Sequence, residues 1–275
     1  MFTINCKGKL ITTDIPLVMG IINATPDSFY EGHLLKSNEQ ILALVAKMVL
    51  DGADIIDVGG VSTKPGSVSI SIQQEIDRVI PVIEAIYKVH PTCVISIDTY
   101  QSKVAIAAVQ AGASIVNDVS AGEADEEMIP TIASLKNIPY IAMHKRGTAL
   151  TMQSLTNYNN VVDDVMKYFV QKVAQFKQAG ILDVVIDPGF GFAKTIEQNF
   201  ELLKNLSAFS ILDKAILVGV SRKSMVYKSI NATPADALNG TTALHTIALT
   251  NGANILRVHD VKEAKEAITL WQLCK

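Results

Sequence analysis

The amino-acid sequence predicts an α/β protein, a single (β/α)8 TIM barrel over residues 1–275 with a short N-terminal β-hairpin. Eight short runs rich in Val and Ile recur along the chain, each followed by a stretch with helical spacing. The units are about 30 residues long, the size of a βα repeat, and no linker or low-complexity segment divides them. Each run ends in polar residues, as the strands of barrel enzymes do at the face that carries their sites. A doubly wound open sheet is the alternative, since eight strands can also remain open.

The elements follow in order. Residues 2–11 read as a hairpin able to close the bottom of the barrel. The apolar runs are 17–22, 54–58, 94–97, 114–116, 140–143, 184–186, 216–220 and 254–258, read as strands buried on both faces. Between them, Ile41, Leu44, Val45, Met48 and Val49 share one helical face, as do Ile76, Val79, Ile80, Ile83 and Ile86. Gly52, Gly112, Gly180 and Gly252 follow small or polar residues, where a left-handed helix cap is expected.

Composition narrows the function. With 24 Lys+Arg against 27 Asp+Glu, the charge is nearly balanced and gives no reason to expect nucleic acid or an acidic membrane as partner. Hydrophobic residues make up 49% and charged residues 19%, which excludes a disordered chain. The three cysteines, Cys6, Cys93 and Cys274, form no CxxC pair, so a disulfide framework and a zinc site are not expected. Reduced thiols fit a cytoplasmic protein. The first ten residues carry Asn5, Lys7 and Lys9 and do not read as a secretory signal, and the apolar stretch 41–50 is too short to span a bilayer.

The strand ends carry the chemistry. They deliver Asn23, Asp57, Asp98, Asn117-Asp118, Met143-His144, Asp187, Ser221-Arg222-Lys223-Ser224, Arg257 and His259 to one rim. A single Asp or Asn at such a place most often caps a helix or sets a turn. Eight strands supplying polar groups from within apolar runs need a partner for them, and a polar ligand would be one. Asp98, Asn117 and Asp187 match a planar heterocycle with several N–H donors, and Lys223 a ring oxygen or nitrogen. Arg257 and His259, with Asn23 across the barrel, match phosphate oxygens, and Thr63 could add a hydroxyl. The five histidines lack metal-site spacing, but a Mg²⁺ held mainly by phosphate oxygens with Asn23 as one ligand is compatible with the residues. The segments 23–33 and 59–66, long and mixed in Gly, Pro and small polar residues, read as ordinary surface loops or as lids that exclude water.

Certain motifs are specific. They are Gly20-Ile-Ile-Asn-Ala-Thr-Pro-Asp-Ser-Phe29, Asp51-Gly-Ala-Asp-Ile-Ile-Asp-Val-Gly-Gly60, Ser62-Thr-Lys-Pro-Gly66, Ser96-Ile-Asp-Thr99, Ile115-Val-Asn-Asp118, Asp187-Pro-Gly-Phe-Gly-Phe192, Gly219-Val-Ser-Arg-Lys-Ser224 and Arg257-Val-His-Asp260. In these the chain resembles the dihydropteroate synthases, pterin-binding barrels of folate biosynthesis that sulfonamides inhibit. The resemblance implies a transferase that joins (7,8-dihydropterin-6-yl)methyl diphosphate to 4-aminobenzoate with release of pyrophosphate. It implies catalytic roles for Asp98, Lys223 and Arg257. Asp98, Asn117, Ile115, Met143, Asp187, Phe192 and Lys223 would surround the pterin. Asn23, Thr63, Arg257 and His259 would hold the diphosphate, with Mg²⁺ on Asn23. Phe29, Thr63, Pro65, Phe192 and Ser224 would frame the aminobenzoate.

The resemblance also implies a homodimer formed through C-terminal helices, with 243–249 and 268–273 as candidate contacts that core packing explains equally well. The sequence departs from the family pattern at Tyr30-Glu-Gly-His33, at Val61 in place of Glu, at Lys64 in place of Arg and at Lys145 where Met is common. Replacing a planar Arg fork by a point charge is not conservative, so altered aminobenzoate affinity and sulfonamide response are expected. A methyl-transfer domain sharing the Asp-Asn-Asp set, a Schiff-base aldolase using Lys223, and a pterin-binding protein without turnover are the rival readings.

Overall fold

A computed structural model describes residues 1–24, 29–30, 33–34, 38–62 and 70–275. Its centre is a closed barrel of eight parallel strands: β3 (Leu17–Asn23), β6 (Ile55–Gly59), β7 (Val94–Asp98), β8 (Ile115–Asp118), β9 (Tyr140–Met143), β10 (Val184–Asp187), β11 (Ala215–Val218) and β12 (Ile255–Val258). They follow one another in chain order, and β12 pairs with β3 to close the ring. The open-sheet alternative is thereby excluded. The strands begin and end within two residues of the apolar runs, extended in several cases by the terminal polar residue.

Helices wrap the outside. The larger ones are α1 (Asn38–Leu50), α2 (Ile72–Val89), α3 (Ser102–Ala111), α5 (Val161–Gln178), α6 (Ile196–Lys204), α8 (Leu238–Thr250) and α9 (Val261–Leu273), with α4 (Met128–Ser134) and α7 (Ser224–Tyr227) short. Ile41, Val45 and Met48 of α1 and Val79, Ile83 and Ile86 of α2 are buried, as their spacing predicts. Gly52, Gly112, Gly180 and Gly252 all have positive φ and let the chain turn from helix to strand.

Alternation along each strand sorts side chains between two cores. Val18, Ile56, Ile97, Val116, Ile186 and Leu256 face outward and pack with the helices. Met19, Ile55, Val94, Ile115, Ile141, Val185, Leu217 and Ile255 face inward and form an apolar layer with Ile4 and Cys6. Those two come from the hairpin β1 (Thr3–Cys6) and β2 (Lys9–Thr12), which seals the bottom as expected. Above this layer the inward positions turn polar.

Two further strands were not expected: β4 (Phe29–Tyr30) and β5 (His33–Leu34) pair antiparallel at the end of the segment 23–33, read as a surface loop or lid, and one residue beyond it.

Candidate active site

The inward position above Ile55 is Asp57, above Val94 come Ser96 and Asp98, above Ile115 is Asn117, above Val185 is Asp187 and above Ile255 is Arg257. The strand register thus delivers a polar cluster onto an apolar floor. At its centre Arg257 Nε donates to Asp57 Oδ2 at 2.6 Å and its terminal nitrogen to Asp98 Oδ2 at 2.6 Å. Asn117 Nδ2 donates to the same Asp57 oxygen at 3.1 Å. The remaining Asp57 oxygen and Ser96 Oγ are buried and have no hydrogen-bond partner. Orphan groups of this kind in a buried polar cluster are what a polar ligand or ordered water satisfies.

Asp57 is the site residue that sequence reasoning passed over. It was noted at a strand end, but its pairing with a residue 200 positions away is set by closure of the barrel.

The charges are displaced from their ordinary behaviour. Burial pushes the Asp98 carboxyl up to about 7, against Arg257 and with Asp57, Glu75 and Asp118 adding to the rise. Burial also raises Asp187, against the pull of Lys223 and of the Gly189 N–H, which donates to its Oδ1 at 2.8 Å. Lys223 is pushed down to about 8 by burial, against Asp187. Its ammonium donates to the Phe190 carbonyl at 2.6 Å and lies 4.9 Å from the centre of the Phe192 ring.

Lys223 is aimed by its neighbour. Arg222 sits in the left-handed region at φ 53, held there by a two-point ion pair with Asp260 and by the carbonyls of Pro234 and Ala235. The basic motif is therefore divided: Arg222 staples the turn after β11 to the end of β12, and Lys223 faces Asp187, Arg257 and Asp98.

The anion-binding group differs from expectation in two respects. Asn23 ends β3, the strand adjacent to β12, so it does not lie across the barrel; it comes four residues after Met19, the register partner of Arg257. His259 is pushed down to about 4, first by burial and then by Arg257, so at neutral pH it is an uncharged partner. Its Nδ1 lies 3.0 Å from Ser221 Oγ.

Met143 is buried, and so is Val119, two residues toward the mouth from Asn117. Ile115 lies one layer below Asn117, in the floor shared with Ile4 and Cys6. Val119 gave no signal in the sequence beyond its alternation with Asn117. Ser224 opens α7, half-buried next to Lys223. Thr63, Lys64 and Pro65 lie outside the described residues, as does the side chain of Phe29. Among the described residues no cluster of three His, Cys, Asp or Glu could hold a metal, and no helix is long and apolar enough to cross a membrane. The rim nonetheless suits an oxygen-seeking cation carried by a polyanion: Asn23 supplies an amide at the mouth, beside Gly59 of the next strand.

A family profile described as pterin binding enzyme matches residues 19–259, from within β3 to just past β12. The dihydropteroate synthase of Escherichia coli K12 is 40% identical over 264 residues, covering 95% of this chain and 93% of the relative. This chain belongs to the dihydropteroate synthase family. Such enzymes are transferases, and the polar cluster occupies the end of the barrel where enzymes of this architecture work. Two solved dihydropteroate synthases of Xanthomonas albilineans superimpose on nearly the whole chain. The one with 4-aminobenzoic acid has a TM-score of 0.91 at 36% identity, covering 99% of this chain and 97% of that one. The one in complex with 7,8-dihydropteroate has a TM-score of 0.89 at 34% identity, covering 99% and 98%.

Proposed function

We propose that this dihydropteroate synthase-family chain condenses (7,8-dihydropterin-6-yl)methyl diphosphate with 4-aminobenzoate, releasing pyrophosphate. The observation that carries the reading is the buried cluster of Asp57, Asp98, Asn117 and Asp187 around Arg257, with Lys223 facing it. Its carboxylates and amide match the donor-rich edge of a pterin, with Met143 and Phe192 against the ring. Arg257 and Asn23 lie toward the diphosphate, and neutral His259 donates or accepts a hydrogen bond there.

The methylene carbon loses its C–O bond, and the electron pair departs with pyrophosphate. Positive charge at the methylene spreads into the electron-rich dihydropterin, where the Asp98 carboxylate stabilises it. The aminobenzoate nitrogen then forms the C–N bond with its lone pair and gives its extra proton to solvent. An aromatic amine is a weak nucleophile, so stabilising the leaving group and excluding water matter most, and an SN1-like path follows. Mg²⁺, when bound by the diphosphate and Asn23, would supply charge neutralisation of the leaving group. Thr63 would add a hydroxyl to the diphosphate, and Phe29, Pro65 and Ser224 would frame the aminobenzoate. The protein is expected to be cytoplasmic, and homodimeric through α8 and α9, where Ile247 and Leu270 are exposed.

Incubation with Mg²⁺ and both substrates tests this. Pyrophosphate and dihydropteroate should form in equal amounts, both lost in Lys223→Ala and Asp187→Ala. Pyrophosphate alone would mean that the amine is not held. Neither product, with pterin still bound, would overturn the synthase reading in favour of methyl transfer or simple binding.

A further inference from the structure

Behind Asp187 lies a pair of buried groups that the reaction just described does not use. Lys194 follows the Asp187-Pro-Gly-Phe-Gly-Phe192 turn and is only 6% exposed. Its Nζ donates to the carbonyls of Gly189 at 3.0 Å and Phe192 at 3.1 Å, and lies 3.0 Å from Nδ1 of His144, itself 3% exposed. Ala193 adopts φ 50, a left-handed conformation that brings the ammonium back under its own turn. The turn also rests on the end of β9: the His144 N–H donates to the Asp187 carbonyl at 2.9 Å. A Cβ placed on Gly189 would lie 1.9 Å from the His144 carbonyl oxygen.

These contacts fix three groups of the site together. Asp187 opens the turn, the Phe190 carbonyl receives Lys223, and the Phe192 ring lies beneath the Lys223 ammonium.

Hydrogen-bond counting constrains the pair further. A charged Lys194 has three N–H donors and meets three acceptors, one of them an unprotonated Nδ1. A neutral Lys194 has two N–H donors and a lone pair. The two carbonyls can only accept, so they keep the two donors. The lone pair then faces Nδ1, which must carry a proton and donate. His144 can make that change by exchanging one neutral tautomer for the other, its Nε2–H for an Nδ1–H.

We propose that Lys194 and His144 are coupled positioning residues that hold the Asp187–Phe192 turn in both charge states, the His144 tautomer following the Lys194 proton. That the turn serves a pterin rests on the reading above; the coupling does not. Asp187 from β10, Lys223 from the turn after β11 and Arg146 from the segment after β9 bear on the pair, and the rings of Tyr168 from α5 and Tyr158 pack against His144 at 4.8 and 6.2 Å, both phenols held neutral by burial. Burial pushes Lys194 down to about 7, with Asp187 opposing and Lys223 and Arg146 assisting, so both its states are populated near neutrality. Burial, with Lys194 and Arg146, pushes His144 down to about 2, so it stays uncharged throughout.

Nitrogen NMR on histidine-labelled protein tests the coupling. Between about pH 5 and 9, the two His144 nitrogens should exchange protonated and unprotonated signatures without an imidazolium, with the midpoint near the Lys194 pKa. In Lys194→Met the exchange should vanish. One fixed tautomer in the wild type, or an imidazolium above pH 5, would overturn the coupling. For positioning, Lys194→Met should bind the dihydropterin diphosphate at least tenfold more weakly, the same variant in which the tautomer exchange is lost. Unchanged pterin affinity in that variant would overturn the positioning role. If the variant does not fold, the wild-type NMR titration still decides the coupling, and His144→Gln, which offers the turn no Nδ1, repeats the affinity measurement. Tautomer exchange in a wild type that binds no pterin would sink the proposed function and leave the pair standing. Dihydropteroate formation without tautomer exchange would do the reverse.

Discussion

Replacing Gly189 by alanine is expected to damage both stability and the site. The added Cβ would lie 1.9 Å from the His144 carbonyl oxygen, a backbone atom of a barrel strand end that cannot rotate away. Carbon and carbonyl oxygen normally meet at about 3.3 Å, so the turn must retreat by roughly an ångström. Alanine must also accept φ +75, at a cost of about 1–2 kcal/mol. Overpacking adds about 1–3 kcal/mol, for a total of about 2–5 kcal/mol. At about 2–4 °C per kcal/mol for a domain near this size, Tm should fall by about 4–20 °C. Asp187 Oδ1 accepts the Gly189 N–H and moves with it, so kcat/KM should fall by about 100-fold, as a misplacement of this size typically costs. Gly180→Ala is the control: φ is +83, yet nothing lies within 4 Å of its Cβ position. It carries the backbone cost alone and should leave turnover unchanged. Calorimetry and steady-state kinetics on the two variants decide the matter. Equal Tm losses and equal kinetics would refute the steric argument.

Other outcomes follow from the same geometry. Ala193→Gly relieves a left-handed alanine, about 1–2 kcal/mol, but removes a fully buried methyl worth about 0.8 kcal/mol, so the urea midpoint should rise by the equivalent of less than about 1 kcal/mol, with activity retained. Pterin affinity should rise as pH climbs through about 7, where Asp98 ionises, and fall above about 8, where Lys223 loses its proton; Asp98→Asn should abolish the lower limb in a binding titration. The same raised Asp98 pKa stabilises the fold most below the ordinary carboxylate range, and that contribution is lost as pH rises to about 7. Denaturation of Asp98→Asn should therefore lack this decline. Lys64→Arg should tighten aminobenzoate and sulfonamide binding several-fold, by restoring a planar two-point fork in place of a point charge. Unchanged inhibition constants would remove Lys64 as the cause of any difference.

The eight strands were legible because each is buried on both faces and so reads as an uninterrupted Val/Ile run. The polar residues ending them were legible for the complementary reason: Asp98, Asn117, Asp187 and Arg257 interrupt apolar sequence. What the one-dimensional pattern lacks is depth and adjacency. It could not place Ile115 in the floor below Asn117, nor set Asn23 next to β12, because both depend on ring closure and register. It left Lys194 unremarked, since a lysine after a glycine-rich turn looks like an exposed loop residue until the left-handed Ala193 folds it under. The β4–β5 pair was missed because two-residue strands are too short to show alternation.

The N-terminal hairpin makes the barrel a vessel with one opening. Ile4 and Cys6 close the far end with an apolar stopper, so a molecule seated against Asp57 and Asn117 can leave only by the route it entered. On the proposed reading the pterin end of substrate and product alike must pass the mouth, a constraint set by ten residues at the opposite end of the protein from the chemistry.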